Sequence, residues 1–473
     1  MKFKDFFSKD IDMKSGNLFF KLIIFSLPIM LTTVMQLLYS TIDLISVQKW
    51  GGGDNSMGAI AANGALINLI IIVFVNLSLG SNVAIANAKG AGNKDRASKI
   101  LHTSMIVAAM TGVVVAVVGY FFSDNLLLLM GTEPAYLELA TQYLKIYFIG
   151  LPFVMLYNYA AQIMRAMGNS STPFIVLGIS GVINVLFDFI FVYYFKLDVA
   201  GVAWATVIAE FVSAQLAVFH LVYSKNAYLN FNLKNLRIDS NSLKEIVKLG
   251  LPAGLQGFFF ALPNVFIQAK LYTIDPGNVD LENGAIASGQ VESYIFAGVS
   301  AICSACMSFV AENYGANNKA NIKKIFWYSH LINLIYNAIC VIIILIFHKG
   351  LLSLFVSSES AIDAGTERLY IVGMTYVLDG AMDVNASLLR GIRRSTFPMV
   401  ITLLFCTVFR ILFLETLFRF EFFHTITWLY AVFPISWVFC IIATVIGIIV
   451  LLPKAYKEME QYSSENKLVL QNS

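Results

Sequence analysis

Apolar runs long enough to cross about 30 Å of hydrocarbon recur along the chain near 18–47, 58–86, 100–122, 137–164, 173–195 and 200–223. A second set follows near 250–273, 285–311, 325–347, 367–389, 398–418 and 428–452. A polar stretch, 224–249, separates the sets. With no water in hydrocarbon to bond the backbone, each run is predicted to be a helix. The pattern predicts an all-α membrane protein with twelve transmembrane helices in two six-helix bundles. Its domains are an N-lobe (1–223), a cytoplasmic linker (224–249), a C-lobe (250–452) and a cytoplasmic tail (453–473). The run from Leu18 to Val47 exceeds the roughly 7–15 residues of a signal-peptide core and is expected to stay as the first span.

The second set repeats the first. Ala86–Leu101 (ANAKGAGNKDRASKIL) aligns with Ala311–Phe326 (AENYGANNKANIKKIF) at an offset of 225 residues, which also pairs Arg165 with Arg390, Ser170 with Ser395 and Pro173 with Pro398. An offset held constant over that distance marks an internal repeat. Units with an even number of spans keep one orientation, so the lobes are expected to be related by a pseudo-two-fold axis along the membrane normal, with a central cavity between them.

Composition agrees with this class: 58% of the 473 residues are hydrophobic and 13% charged, against about 25% charged in soluble domains. A net charge of +3 gives no basic face for nucleic acid. Basic residues gather at alternate connections, at Lys89, Lys94, Arg96 and Lys99, at Lys225, Lys234, Arg237, Lys244 and Lys248, at Lys319, Lys323 and Lys324, and at Arg390, Arg393 and Arg394. Together with Lys2, Lys4, Lys9 and Lys14, they predict that both termini are cytoplasmic. The five cysteines lie within apolar runs and read as reduced core residues. G-x-S-x-G and H-E-x-x-H motifs are absent, so no enzyme is expected.

Ionisable groups inside spans are costly and need a reason; a central Asp costs about 2.5–3.5 kcal/mol on insertion scales. Gln36, Tyr39 and Asp43 share one stripe of the first span, and Asn184 and Asp188 lie one turn apart on the fifth. Asn158 falls in the fourth span and Thr206 in the sixth. Oxygen-bearing side chains suit a small hard cation, and two carboxyls in a low-dielectric pocket can share a proton. The offset of 225 places Gln268, Phe409, Phe413 and Ala431 opposite Asp43, Asn184, Asp188 and Thr206. The carboxylate pair therefore exists in one half only, which favours function over architecture. Glu210, Lys145, Lys270, Arg368 and Arg410 are expected to snorkel or pair.

The motifs Leu27-Pro28, Gln36/Tyr39/Asp43, Lys89-Gly90-Ala91-Gly92-Asn93, Asn313-Tyr314-Gly315-Ala316-Asn317, Arg165-Ala166-Met167-Gly168 and Phe433-Pro434-Ile435-Ser436-Trp437 occur in order over nearly the whole chain. In them the sequence resembles the multidrug and toxic compound extrusion (MATE) family, bacterial type. The resemblance implies a cation-coupling site in the N-lobe, with Asp43 and Asp188 bearing charge, Asn184 and Thr206 as neutral ligands, and Gln36, Tyr39 and Asn158 supporting them. No metal is implied beyond Na⁺ at the four coupling residues, and no cofactor beyond a coupling ion, H⁺ or Na⁺. Pro28 is the expected hinge, since proline removes a backbone hydrogen bond. Candidates for the substrate cavity are Asp379, Asp383, Glu292, Gln256 and Phe259. The implied function is secondary active efflux of amphiphilic, cationic compounds across the cell membrane, by a chain able to work as a monomer. The alternative is a flippase of a lipid-linked envelope precursor, which should gather Arg or Lys in its cavity.

Overall fold

The structure, a computed structural model, describes residues 10–471 except Lys225 and Asn230, with side chains up to Glu460 apart from Asp54, Ala65, Asn68 and Ile71. Lys2, Lys4, Lys9 and Lys225 of the charge pattern lie outside the described residues. The first six spans are α1 (Leu18–Trp50), α2 (Asp54–Gly90), α3 (Lys94–Leu129), α4 (Leu137–Ala166), α5 (Ser171–Asp188) and α6 (Asp198–Tyr223). The next three are α7 (Ser240–Ile274), α8 (Val279–Gly315) and α9 (Lys319–Leu352). The tenth is broken into α10 (Glu359–Ile371) and α11 (Tyr376–Gly391) by a 3₁₀ turn, and the eleventh into α12 (Thr396–Thr402) and α13 (Phe409–Glu415) by a π segment. α14 (Ile426–Gln471) is the twelfth.

Among the described residues ten helices pass a length and hydropathy test for spanning; α2 and the broken α10–α11 complete the twelve. Two boundaries differ from the apolar pattern. α7 takes in Ser240–Leu249, and α14 continues through 453–471, because polar residues with good helix propensity extend a helix beyond the hydrocarbon.

The chain forms two compact units. The first holds the described residues up to Ile11 together with Leu31–Gly254, and the second holds Asp12–Met30 and the chain from Leu255. The opening residues of α1 thus group with the second unit, and those of α7 with the first. Pro28 and Pro252 each stand two residues before the changeover.

Within the first unit, Val47, Leu66, Leu127, Phe148, Leu151 and Val202 form a buried core. α7 crosses α2 at small residues: a Cβ on Gly80 would come within 2.2 Å of the Ile246 carbonyl oxygen, and one on Gly250 within 2.1 Å of that of Leu77. Glycine is what permits such close backbone approach. In the second unit Leu414, Leu429, Tyr430, Val432, Trp437 and Cys440 make the core, beside a smaller cluster of Ala287, Val291, Ile344 and Leu369.

The repeat persists down to single hydrogen bonds. Gly92 and Asn317, 225 residues apart, are both left-handed (φ 74° and 57°). The next residues, Asn93 and Asn318, cap α3 and α9 by accepting from Arg96 N–H at 2.9 Å and Asn321 N–H at 3.1 Å. At the other loop the left-handed pair is Gly168 and Arg393 (φ 95° and 68°). Asn169 N–H donates to Met164 O at 2.9 Å and Arg394 N–H to Leu389 O at 2.7 Å, closing both helices alike.

Only the first-unit copy needs glycine for space, since a Cβ on Gly168 would lie 2.3 Å from the Ile11 carbonyl oxygen. Gly168→Ala is therefore expected to cost more than the roughly 1–2 kcal/mol of a left-handed non-glycine residue. Gly131→Ala, also left-handed but with open space around it, should incur that penalty alone. Thermal unfolding of the two purified variants compares them, and equal losses would refute the close contact.

Candidate ion-coupling site

The approach of α1 to α5 brings the two first-unit acids together. Tyr39 lies across Gly181, where a Cβ would meet its Cζ at 1.8 Å. At the far end Trp50 packs edge-on against Phe189 and Tyr193, with centroids 5.7 and 5.9 Å away. Between these two contacts sits Asp43. Asp188 is the last residue of α5 before a π-helical stretch, Phe189–Tyr194. Wide turns of this kind shift the helix register and recur at functional sites.

Asp43 and Asp188 are 9% and 0% exposed. Their carboxyl groups lie within hydrogen-bonding reach of each other, and Asn184, 5% exposed, reaches Asp43 as well. Ionised carboxylates only accept, so a bond between the two requires a proton on one of them or a cation between them. Oδ1 of Asp43 and both oxygens of Asp188 find no hydrogen-bond partner among the described residues. Leaving a buried acceptor unmade costs about 1–3 kcal/mol, more for a charged group. A bound H⁺ or small cation meets that unmet demand, and the donor set of carboxyl and amide oxygens fits either.

Other residues singled out in the sequence are placed apart from this pair. The Thr206 hydroxyl donates to Val202 O of its own helix at 3.0 Å, and Asn158 donates to Val154 O at 2.8 Å. Gln36 is exposed. The Tyr39 hydroxyl is buried without a hydrogen-bond partner among the described residues. Pro28 sits inside an unbroken α1.

Two groups near the pair escaped the sequence reading, and Glu210 was read differently. Tyr143 and Tyr147, one turn apart on α4 and stacked at 6.3 Å, both lie within electrostatic range of Asp43. Glu210 is near Tyr147, and Ser213 Oγ donates to its carboxylate at 3.2 Å. Expected to snorkel or pair, Glu210 instead has no cationic partner among the described residues. Its place one turn beyond Thr206 was the available signal.

The second unit treats its charges differently. Glu292 receives two bonds from Arg368, Nε at 2.8 Å and Nη2 at 2.9 Å, and a third from Ser288 Oγ at 3.1 Å. Asp379 is fully buried, with neither oxygen hydrogen-bonded among the described residues, in range of Asp383 one turn on and of Arg410. Arg410 does not snorkel. It is 0% exposed, donates from Nε to Ser436 Oγ at 2.9 Å, and faces Phe433 at 4.5 Å. Lys145 and Lys270 do pair, with Asp124 at 2.7 Å and Glu415 at 2.8 Å. Gln256 is buried, its carbonyl oxygen without a hydrogen-bond partner among the described residues, and Phe259 is half-buried against Phe258.

Twelve spans in two six-helix bundles, with unpartnered carboxyls inside the spans, define a polytopic membrane transporter. The MatE family model matches residues 28–190 and 281–414. The probable multidrug resistance protein YoeA of Bacillus subtilis is 28% identical over 387 residues, covering 80% of this chain and 82% of that protein. The probable multidrug resistance protein NorM of Thermotoga maritima is 24% identical, covering 81% and 82%. An outward-facing multidrug resistance MATE family transporter of the MOP superfamily superposes with a TM-score of 0.84 at 20% identity, covering 96% of this chain and 99% of that one. The chain belongs to the MatE family, whose members are transporters and not enzymes.

Asp188→Asn removes one unpartnered buried acid without changing its size, so apparent Tm in detergent is expected to stay level or rise by a few degrees. Arg368→Leu strands Glu292 and is expected to destabilise by about 3–5 kcal/mol. Melting curves that rank the two the other way would overturn both assignments.

Proposed function

We propose that this chain is an ion-coupled efflux transporter for amphiphilic, cationic small molecules, with H⁺ or Na⁺ as the driving ion. The observation that carries the reading is the Asp43/Asp188 pair, two buried acids close enough to share one cation and short of other partners. The multidrug resistance names of the relatives support the cargo class, and the lysines and arginines at alternate connections support cytoplasmic termini. A single chain carries both lobes and works as a monomer.

In this reading, ion binding draws α1 and α5 together, because a ligand shifts a conformational equilibrium only through different affinities for its two states. Asp43 and Asp188 hold the ion, while Asn184 orients Asp43. Thr206 is the further neutral ligand of this reading and Gln36, Tyr39 and Asn158 its supporting groups, with the Thr206 and Asn158 side chains here bonded to their own helices. Pro28 is the hinge. It stands two residues before α1 passes from one compact unit to the other, and its missing N–H loosens the helix there. Asp379 and Asp383, with Gln256 and Phe259, line the path of the cargo. The flippase alternative finds less support, since Arg368 is neutralised by Glu292 and Arg410 is fully buried.

Efflux of ethidium from proteoliposomes, under separately imposed proton and Na⁺ gradients, tests the coupling. Asp43→Asn and Asp188→Asn are each expected to cut gradient-driven efflux more than tenfold at equal insertion; wild-type rates in both would refute the site. Pro28→Ala is expected to slow turnover while leaving ion binding intact, and an unchanged rate would remove the hinge.

A further inference from the structure

Three sulfur atoms from three elements of the second unit meet in its core. Cys406 lies in the π segment Leu403–Val408, Met382 on α11 and Cys440 on α14. The Cys406 thiol is 3.5 Å from that of Cys440 and 4.0 Å from the Met382 thioether. Both cysteines are 0% exposed and Met382 is 2% exposed. A metal bonded to sulfur at about 2.3 Å holds its ligand sulfurs about 3.8 Å apart in tetrahedral geometry and about 4.0 Å apart in trigonal geometry. The three atoms therefore need only a slight adjustment to ligate one ion together.

Packing alone accounts for buried thiols, since free cysteine behaves as a small apolar residue. It does not account for the charge beside them. Arg410 stands four residues after Cys406, and Ser436 four residues before Cys440. The Arg410 guanidinium is 0% exposed and spends Nε on Ser436 Oγ at 2.9 Å, while neither Nη has a hydrogen-bond partner among the described residues. It lies in electrostatic range of both thiols and of Asp379. The Asp379 oxygens also lack a hydrogen-bond partner among the described residues, so no hydrogen-bonded ion pair closes on Arg410. A charge taken fully out of water calls for a compensating one held against it.

The sulfurs and the arginine select the same ligand class. Thiolate and thioether sulfur favour soft ions such as Cu(I). Binding of a monovalent ion displaces both thiol protons, M⁺ + 2 RSH → [M(SR)₂]⁻ + 2 H⁺, and leaves a single negative charge for the guanidinium to balance. A divalent ion would leave a neutral complex and an uncompensated Arg410. Zn²⁺ moreover takes four ligands almost always, and the cluster supplies three sulfurs. Phe433, whose ring the guanidinium faces at 4.5 Å, also lines a cavity of about 250 Å³, so open space comes within one ring of the site.

We propose that Cys406, Cys440 and Met382 form a binding site for a soft monovalent metal ion, Cu(I) or Ag(I), with Arg410 as its counter-charge. The bound ion joins α11, the π segment and α14, and fixes the wide turn that precedes Arg410. The site lies in the other unit from Asp43 and Asp188 and does not rest on them.

The test uses the purified full chain in detergent, with Cys303→Ser, Cys306→Ser and Cys340→Ser together, so that Cys406 and Cys440 are its remaining thiols. Ag⁺ titrated calorimetrically in chloride-free buffer is expected to bind at one ion per chain and to raise apparent Tm. Adding Cys406→Ser or Cys440→Ser should weaken Ag⁺ about a hundredfold and remove the Tm shift, because a hydroxyl is a poor ligand for a soft ion. Arg410→Gln should weaken it about tenfold, the order usual for a group that supports the ligands, and Asp379→Asn should leave it nearly unchanged. Zn²⁺ is expected to bind far more weakly than Ag⁺. X-ray absorption of the Cu(I)-loaded chain should show three sulfur neighbours at about 2.3 Å, and two in Met382→Leu. No saturable Ag⁺ binding, equal affinity in the Cys440→Ser variant, or Zn²⁺ bound as tightly as Ag⁺ would each overturn the proposal. The sulfur count is read on an intact pair and decides the matter even where a serine variant fails to fold: oxygen or nitrogen neighbours in place of sulfur overturn the site.

Discussion

A polar group in hydrocarbon has no water to fall back on, and nearly every feature of this protein follows from that constraint. The backbone answers it with twelve helices. Side chains answer it by bonding to their own helix, as Thr206 and Asn158 do, or by pairing across helices, as Arg368 and Glu292 do. The groups that leave the demand unmet stand out against this background: Asp43 and Asp188 in the first unit, Asp379 and the terminal nitrogens of Arg410 in the second. Polar groups left in that state are retained for what they bind or exchange.

The two halves share their loops and differ in their cores. Left-handed residues at Gly92 and Asn317 and at Gly168 and Arg393, with the same capping and closing bonds, turn the chain alike in both. A loop must close the helix ends wherever it occurs, and that requirement is common to both halves. The cores carry no such obligation. One half keeps an acid pair on α1 and α5, while the other has Gln268 at the first of those places and Phe413 at the second. The two halves share a frame, and inside it one unit keeps a buried acid pair while the other holds the Arg368–Glu292 ion pair and, among the described residues, an unpartnered Asp379.

Irregular helix turns mark where the frame is adjusted. The π segment after Asp188 and the one at Leu403–Val408, just before Arg410, each fall beside a buried charge, and the 3₁₀ turn at Gly373–Thr375 precedes Asp379. A wider or tighter turn rotates the residues beyond it relative to those before, and aims a side chain where a regular helix would not. Pro28 and Pro252 each stand close to the point where one helix leaves its compact unit for the other.

Sequence alone determined the twelve spans, the repeat and the one-sided placement of Asp43 and Asp188. Hydrophobic length, a constant offset and the cost of a charge in lipid are properties of the chain read in order. Two helix limits escaped it, because α7 and α14 run on through polar residues that hydropathy does not count. So did the company the acids keep. Tyr143 and Tyr147 come within range of Asp43, and Glu210 within range of Tyr147, only across helices, and Gln36, on the same stripe as Asp43, is exposed. Whether a buried charge finds a partner is decided across helices. That is why Arg368 met Glu292 while Arg410 settled between Ser436 and the Phe433 ring, a difference that two arginines in apolar runs do not announce.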